Sequence, residues 1–237
     1  MMPNKLLINF LGKPGLPEWI IRTGITTNSR ILDIGCGDGS LLFQMREMGF
    51  KNLTGVDRYI NFENVQYKRI KFFNKDISAL SYSAKPAFDL VMLHHSFEHM
   101  RGQFETLNHI KNLLSDHGSV VIRIPVVPSF AWRKYGTNWF ALDAPRHFFL
   151  HTEHSMQLVA EKTGFTIMNR YCDASPQTLW ASEQYTKNIP FMDDRSLRFG
   201  LDKSIFTKKD LEGFVAKAQE LNKSQDGDTA CFILKKK

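Results

Sequence analysis

Short apolar runs rich in β-branched residues alternate along this chain with longer segments in which apolar residues recur every three or four positions. The short runs predict seven strands, at residues 30–34, 53–56, 70–74, 88–93, 119–124, 166–171 and 230–235. The longer segments predict helices at residues 18–23, 40–48, 104–114, 155–163 and 208–221. Strands that alternate with helices are typical of β-α units on a parallel sheet. The pattern therefore predicts an α/β fold with a doubly wound, mostly parallel sheet of seven strands.

Two stretches depart from this alternation, and both are predicted to be insertions. Residues 126–151 follow the fifth strand, and residues 172–228 separate the last two strands. The first insertion contains seven aromatic residues: Phe130, Trp132, Tyr135, Trp139, Phe140, Phe148 and Phe149. Aromatic side chains at this density build either an acceptor pocket or a small core. We predict one domain over 1–237, with a lead-in at 1–27, a core at 28–125, the acceptor pocket in the first insertion and a lid in the second.

Composition narrows the class of protein. Hydrophobic residues make up 43% and charged residues 23% of the chain, as in a globular protein with a sizeable buried core. No apolar run reaches the roughly 20 residues that span a bilayer, and the first residues lack the apolar centre of a secretory signal. The three cysteines are scattered, which predicts reduced thiols. We therefore expect a cytoplasmic protein without a membrane partner.

One predicted strand runs straight into a glycine-rich turn and then a helix, at residues 31–40, which read ILDIGCGDGS. Such a turn places backbone N–H groups and the positive end of a helix at the carboxyl edge of the sheet. Dinucleotide folds usually show Gly-x-Gly-x-x-Gly, whereas Gly35, Gly37 and Gly39 are each separated by one residue. Asp33 would repel a pyrophosphate but suits an ammonium group. The turn therefore predicts a site for a cationic cofactor.

Acidic residues also follow the next two predicted strands. Asp57 closes the second strand, where a carboxylate can accept hydrogen bonds from both ribose hydroxyls. Asp76 follows the third strand and is expected to accept a hydrogen bond from the amino group of an adenine, with the apolar Ile77 packed against the adenine ring. Each carboxylate alone is also explained as a helix cap or a turn residue. Their shared position at strand ends favours a nucleoside site.

With the glycine motif and the acidic residues at 57 and 76, residues 28–125 resemble the class I, Rossmann-like S-adenosylmethionine-dependent methyltransferases. Residues 88–100, which read FDLVMLHHSFEHM, are similar to the fourth strand and following loop of that class. The resemblance implies S-adenosyl-L-methionine as cofactor, S-adenosyl-L-homocysteine as product and an antiparallel last strand. It also implies cofactor contacts from Cys36 in the turn, Arg58 after the second strand and His94 after the fourth.

Catalytic residues are harder to predict, because the methyl donor is already activated and the enzyme gains most by positioning the acceptor. The segment LDAPRH at 142–147 resembles one found in small-molecule methyltransferases encoded among polysaccharide and natural-product genes. We predict His147 as a general base and Arg146 as a partner for an anionic group of the acceptor. The alternative is that Arg146 pairs with Asp143 and His147 caps the next helix. His95 is the second candidate for the base.

The loop after the fourth strand also suggests a metal site. His95 and His99 are four residues apart, a spacing that places both on one face of a helix and is found in zinc sites. The family resemblance explains this loop as the lining of the methionine end of the cofactor. No metal is therefore predicted.

We predict a methyltransferase that acts on an O, N or C centre of a small acceptor of anionic or sugar-like character. The net charge of +7 raises the alternative of a nucleic-acid methyltransferase. That charge is spread along the chain, and the position after strand four reads HHSF instead of the Asn-Pro-Pro-Tyr of base methyltransferases, so nucleic acid is not expected. A third hypothesis is a cofactor-binding scaffold without turnover. A homodimer stays open, with Trp180, Phe191 and Phe199 as its candidate surface.

Overall fold

The computed structural model of this chain describes residues 17–60, 66–67, 69–80 and 87–237. Those residues contain one eight-stranded sheet. Its strands are β1 Arg30–Ile34, β2 Asn52–Asp57, β3 Gln66–Tyr67, β4 Ile70–Asn74, β5 Phe88–His94, β6 Leu114–Pro125, β7 Phe165–Cys172 and β8 Thr229–Lys236. The spatial order is β3-β4-β2-β1-β5-β6-β8-β7. The order therefore reverses between β1 and β5, where α/β sheets open a crevice for ligands.

Parallel pairing dominates the sheet. β1 pairs in parallel with β2 and with β5, β2 with β4, and β5 with β6. β8 runs antiparallel to both β6 and β7. The last four residues of β1 are all buried, as expected for a strand covered on both faces. The predicted α/β class, the doubly wound order and the antiparallel last strand are confirmed.

Two details of the sheet differ from the prediction. β3 is an additional short strand antiparallel to β4, and two residues are too few to leave a periodic signal. β6 begins at Leu114, earlier than the predicted start at Ser119. Its register against β5 shifts between the pairs made by Leu114 and Ser119, so the polar residues between them belong to an irregular part of the strand.

Seven α-helices lie in the described residues: α1 Glu18–Thr23, α2 Ser40–Glu47, α3 Gln103–Leu113, α4 Phe130–Tyr135, α5 Glu153–Lys162, α6 Pro176–Tyr185 and α7 Lys208–Lys223. Five of them match predicted helices, whereas α4 and α6 lie in the insertions and were not predicted. In α6 the buried residues run consecutively from Thr178 to Ser182 instead of recurring every third or fourth position. Periodicity cannot detect a helix that is buried on all sides.

The two insertions pack together into one helical cap, formed by α4, α6 and α7. Trp139, 1% exposed, lies in its core and donates its indole N–H to Asp228 at 2.7 Å. Trp180 is buried and stacks on Phe191 with ring centroids 5.6 Å apart, so it packs inside the cap and not on a surface. The cap follows β6 and β7 and precedes the antiparallel β8. It therefore lies at the carboxyl edge of the parallel strands.

The aromatic residues of the first insertion divide between core and surface. Tyr135 joins Trp139 in the core, whereas Phe148 and Phe149 are 46% and 41% exposed. Packing thus accounts for part of the aromatic density. Within the described residues, none of the helices combines the length and apolar character needed to cross a bilayer.

Candidate cofactor and acceptor site

The glycine-rich turn joins β1 to α2 at the crevice beside β5. Gly35 and Gly37 have φ angles of 74° and 54°, in the left-handed region that favours glycine. A Cβ at Gly35 would overlap the side chain of Ser96, whereas a Cβ at Gly37 would meet no atom of the described residues within 4 Å. Gly35 is therefore required for packing against the loop after β5. Gly37 borders open space into which a ligand can approach the backbone.

Asp33 lies under this turn with a side chain that is only 3% exposed. No described residue donates a hydrogen bond to its carboxylate. Burial, and then the nearby Asp57 carboxylate, raise the pKa of Asp33 to about 7. A buried carboxylate whose pKa no described residue lowers fits the ammonium group of a methionine moiety, which would supply a charge and donors.

Asp57 holds the turn in place from the end of β2. Its Oδ2 accepts a hydrogen bond from the Gly37 N–H at 2.9 Å, and its Oδ1 accepts one from the Tyr59 N–H at 2.7 Å. The carboxylate is thus directed at the glycine turn, which was not foreseen from sequence. A carboxylate has lone pairs left for further donors, so the predicted ribose contact stays a prediction.

Asp76 and Arg58 form a pair at the next strand end. The Asp76 carboxylate accepts hydrogen bonds from the Ser78 N–H at 2.8 Å and from Arg58 Nε at 2.6 Å. Burial raises the pKa of Asp76, but these bonds outweigh it and leave the pKa lowered. Ile77 is buried beside them. The structure therefore gives Asp76 the capping role weighed above, and its contact with adenine stays a prediction.

Cys36 and His94, the other two predicted cofactor residues, differ in setting. Cys36 belongs to the hydrophobic cluster under α2, and burial raises the pKa of its thiol. His94 ends β5 with its ring 5.1 Å from that of Trp19. Its Nε2 is buried and has no hydrogen-bond partner in the described part of the chain, and burial, followed by the Arg123 charge, lowers the pKa of His94 to about 3. His94 is therefore neutral at physiological pH.

A cavity of about 390 Å³ opens beside the glycine turn. It is lined by Pro17, Glu18, Trp19, Leu41, His94, Arg123, Tyr171 and Asp173. Asp173 Oδ1, like His94 Nε2, is buried, and none of the residues that the structure describes forms a hydrogen bond with it. Sequence reasoning missed most of this lining, because it comes from α1, α2, β5, β6, β7 and the residue after β7, which only the topology brings together.

Arg123 and His95 form a fixed network at the edge of this cavity. Arg123 donates from Nε to Asp173 Oδ2 at 2.6 Å, and it also contacts His95 Nε2. Because arginine only donates, the His95 Nε2 is the acceptor and the proton lies on Nδ1, which is 3.4 Å from Glu98 Oε1. The basic nitrogen of His95 is therefore already engaged. Its predicted role as a base would require that contact to break.

Arg146 and His147 lie farther along, beneath the cap. Arg146 Nε donates to Asp143 Oδ1 at 3.0 Å, which is the alternative considered for this residue. His147 does not cap the following helix, since Thr152 does so. Instead, His147 Nδ1 is 2.8 Å from the carbonyl oxygen of Ala141, and burial lowers the pKa of the ring. The predicted roles of Arg146 in acceptor binding and of His147 as a base stay predictions.

Comparison with known proteins identifies the family. A family profile described as a methyltransferase domain matches residues 11–169. The chain belongs to this methyltransferase family, and its fold is that of the class I, S-adenosylmethionine-dependent methyltransferases. S-adenosyl-L-methionine is accordingly its cofactor. The buried carboxylate of Asp33 and the space that the described residues leave beside Gly37 agree with that assignment.

Individual relatives differ in what their names say they act on. A tRNA U34 carboxymethyltransferase of Pseudoalteromonas translucida is 29% identical over 202 residues, covering 78% of this chain and 58% of the relative. The structure resembles an S-adenosylmethionine-dependent methyltransferase of Archaeoglobus fulgidus with a TM-score of 0.53 and 19% identity, covering 89% of this chain and 86% of that one. It also resembles a Haemonchus contortus phosphoethanolamine N-methyltransferase, solved with S-adenosylhomocysteine. The TM-score is 0.55 at 18% identity, and the match covers 92% of this chain and 51% of that one. The chain thus spans little more than half of the curated relative's length.

Proposed function

We propose that this enzyme methylates a small polar molecule bound in the cavity beside the glycine turn. A volume of about 390 Å³ lies within the range of small-ligand pockets. The observation that carries the proposal is a pair of buried atoms in its lining, His94 Nε2 and Asp173 Oδ1, to which the described residues form no hydrogen bond. Each such atom costs about 1–3 kcal/mol when left unpaired. A polar acceptor that bonds to both atoms recovers this free energy.

The chemistry expected of the site follows from its residues. The cofactor supplies an electrophilic methyl group, and the protein must align the acceptor for in-line attack and exclude water. Arg123 fixes one oxygen of Asp173, which leaves the other to accept a hydrogen bond from a hydroxyl or amino group. Trp19 packs against His94 and covers that side of the cavity. This lining favours a hydroxylated or aminated acceptor over a lipid.

A nucleic-acid acceptor is the second candidate, because curated relatives are named as tRNA U34 carboxymethyltransferases. The net charge of +7 is compatible with an anionic partner. The two candidates differ in salt dependence, since phosphate contacts release counterions and lose affinity steeply as salt rises. A small acceptor held by hydrogen bonds lacks that dependence.

The test is a screen for S-adenosylhomocysteine release with a panel of hydroxylated and aminated small molecules and with total tRNA, at 50 and 200 mM salt. Turnover on a small molecule that changes little with salt supports the proposal. Turnover on tRNA alone, falling steeply between the two salt concentrations, would replace it with the second candidate. Cofactor binding by calorimetry without release from any acceptor would favour the scaffold hypothesis.

Once an acceptor is found, Asp173→Asn tests its placement. We expect the acceptor KM to rise about tenfold, the loss of one good hydrogen bond, while calorimetric affinity for S-adenosylmethionine is unchanged. Asp194→Asn, an exposed position in the cap, is the matched control and should leave both quantities unchanged. An unaltered KM in Asp173→Asn would show that the acceptor lies elsewhere.

A further inference from the structure

Three metal-ligating side chains meet beneath the cap, away from the lining of the acceptor cavity. Glu98 and His99 belong to a single 3-10 turn after β5, and His147 comes from the first insertion. One ligand atom from each of the three residues lies within 4.8 Å of the other two. The rings of His99 and His147 meet edge to face with centroids 4.7 Å apart.

Both imidazoles are held in the tautomer that leaves Nε2 available to a metal. His99 Nδ1 is 2.9 Å from the carbonyl oxygen of Arg146, and His147 Nδ1 is 2.8 Å from that of Ala141. A carbonyl oxygen only accepts, so each Nδ1 carries the proton and each Nε2 keeps its lone pair. Metal-ligating histidines are oriented in this way, with the second nitrogen donating to a backbone carbonyl.

The carboxylate between them is fully buried and poorly compensated. Glu98 is 0% exposed, and neither of its oxygens has a hydrogen-bond partner among the described residues. The nearest ionisable nitrogens are His95 Nδ1 at 3.4 Å and His147 Nε2 at 3.9 Å from Oε1. A buried carboxylate without hydrogen bonds is costly, and a bound cation removes that cost.

We propose that Glu98, His99 and His147 bind a divalent transition-metal ion, for which Zn²⁺ is the best match. Two imidazoles and one carboxylate form a known catalytic zinc set that leaves a fourth position open. Bonds of about 2.0–2.1 Å place tetrahedral ligand atoms roughly 3.3 Å apart. The ligand atoms now lie within 4.8 Å of one another, and because His99 is exposed, a small shift of its side chain can bring them to that separation. Asp143 Oδ2, 3.7 Å from His147 Nε2, is the nearest further carboxylate.

This site differs from the zinc site considered from sequence. That hypothesis paired His95 with His99, but His95 Nε2 contacts Arg123 and the residue has a left-handed φ of 51°. In the structure, the second histidine beside His99 is His147 instead of His95, although it lies 48 residues from His99 in the chain. In this arrangement His147 is a metal ligand and not a general base. The inference does not depend on which molecule is methylated.

The test uses the purified chain after removal of metal with a chelator. Zn²⁺ is titrated by calorimetry against the wild type, Glu98→Gln, His99→Asn and the control His109→Asn, which removes an exposed histidine of α3. We expect one equivalent to bind to the wild type and to the control, and affinity to fall at least tenfold in the other two variants. Co²⁺ in place of Zn²⁺ should give the visible spectrum of a tetrahedral site in the wild type only.

Folding of each variant is checked by circular dichroism, and His99→Asn decides the outcome if Glu98→Gln does not fold, because His99 is exposed. Absence of a saturable single site in the wild type would overturn the proposal. Equal Zn²⁺ affinity in His99→Asn and His109→Asn would also overturn it. Loss of binding in both variants supports it, as does loss in His99→Asn where Glu98→Gln does not fold; full Zn²⁺ affinity in a folded Glu98→Gln would contradict the role of Glu98 as a ligand.

Discussion

Replacing Asp33 with asparagine is expected to stabilise the cofactor-free protein at high pH while weakening cofactor binding. The substitution keeps the shape of the side chain and removes its charge. In the cofactor-free state that charge is buried, unpaired by described residues and close to Asp57. The same charge becomes favourable when a cationic cofactor is bound. Stability and affinity therefore change in opposite directions.

The magnitude follows from the pKa of Asp33, which is raised from 3.8 to about 7 by burial and by Asp57. When folding raises the pKa of a carboxyl group, its contribution to the free energy of unfolding is fully present below pH 3.8. That contribution is lost progressively as the pH rises to about 7. Each pKa unit corresponds to about 1.4 kcal/mol. Between pH 5 and pH 8 the wild type should therefore lose about 3 kcal/mol at this residue. Asp33→Asn does not incur that loss.

Urea denaturation of both cofactor-free proteins at pH 5 and pH 8 measures this difference. The free energy of unfolding of Asp33→Asn relative to wild type should increase by about 3 kcal/mol between the two pH values. Asp38→Asn is the control, because hydrogen bonds from Ser40 lower the pKa of Asp38 and its substitution cannot produce a gain at high pH. An identical difference at pH 5 and pH 8 would refute the assignment of Asp33 as a buried, uncompensated charge.

Calorimetric titration completes the prediction. S-adenosylmethionine should bind Asp33→Asn at least tenfold more weakly than wild type at pH 8, since a hydrogen bond to a charged group contributes about 1.5–3 kcal/mol. In the wild type, affinity should increase from pH 5 to pH 8 as Asp33 ionises, and this increase should be absent from the variant. Equal affinities at pH 8 would show that the ammonium group binds elsewhere.

Two further predictions concern packing. Gly35→Ala should destabilise the fold by about 2–3 kcal/mol, because the added Cβ would overlap Ser96. Gly37→Ala should cost only about 1–2 kcal/mol of backbone strain, and its main effect should be a lower affinity for the cofactor. Urea denaturation and calorimetry distinguish the two, and equal stability of both variants would contradict this reasoning. Trp139→Phe should destabilise the protein by about 1–3 kcal/mol, because the buried Asp228 carboxylate loses a donor at 2.7 Å. An unchanged urea midpoint would argue against a structural role for that bond.

The parts of the fold that were predictable depend on local sequence. β1 and α2 each carry their own periodic signal, and the turn between them needs residues at fixed offsets, so Asp33 and the glycines could be found directly. The carboxylates at 57 and 76 could be found because parallel strands end at the same edge. Their hydrogen bonds to the Gly37 N–H and to Arg58 could not, because those bonds depend on how the loops fold back.

The proposed acceptor cavity illustrates the opposite case. Arg123 reads as an interruption in an apolar strand, and Asp173 reads as the second residue of an insertion. Only the antiparallel insertion of β8 between β6 and β7 places the ends of those strands where the two side chains meet at 2.6 Å. No spacing rule relates residues that are 50 positions apart. Such a pair is visible only in the folded chain.

The two segments that carry the inferred metal site, the turn after β5 and the first insertion, are joined by hydrogen bonds that do not involve a metal. The carbonyl oxygen of Glu98 accepts hydrogen bonds from the Phe148 N–H at 2.9 Å and the Phe149 N–H at 3.4 Å. The His99 ring adds a third tie, to the carbonyl oxygen of Arg146. The turn after β5 and the first insertion are thus already held together, so metal binding need not order either segment. We therefore expect Zn²⁺ to leave the far-ultraviolet circular dichroism unchanged while raising the Tm, and a gain in helical signal on binding would contradict this preorganisation.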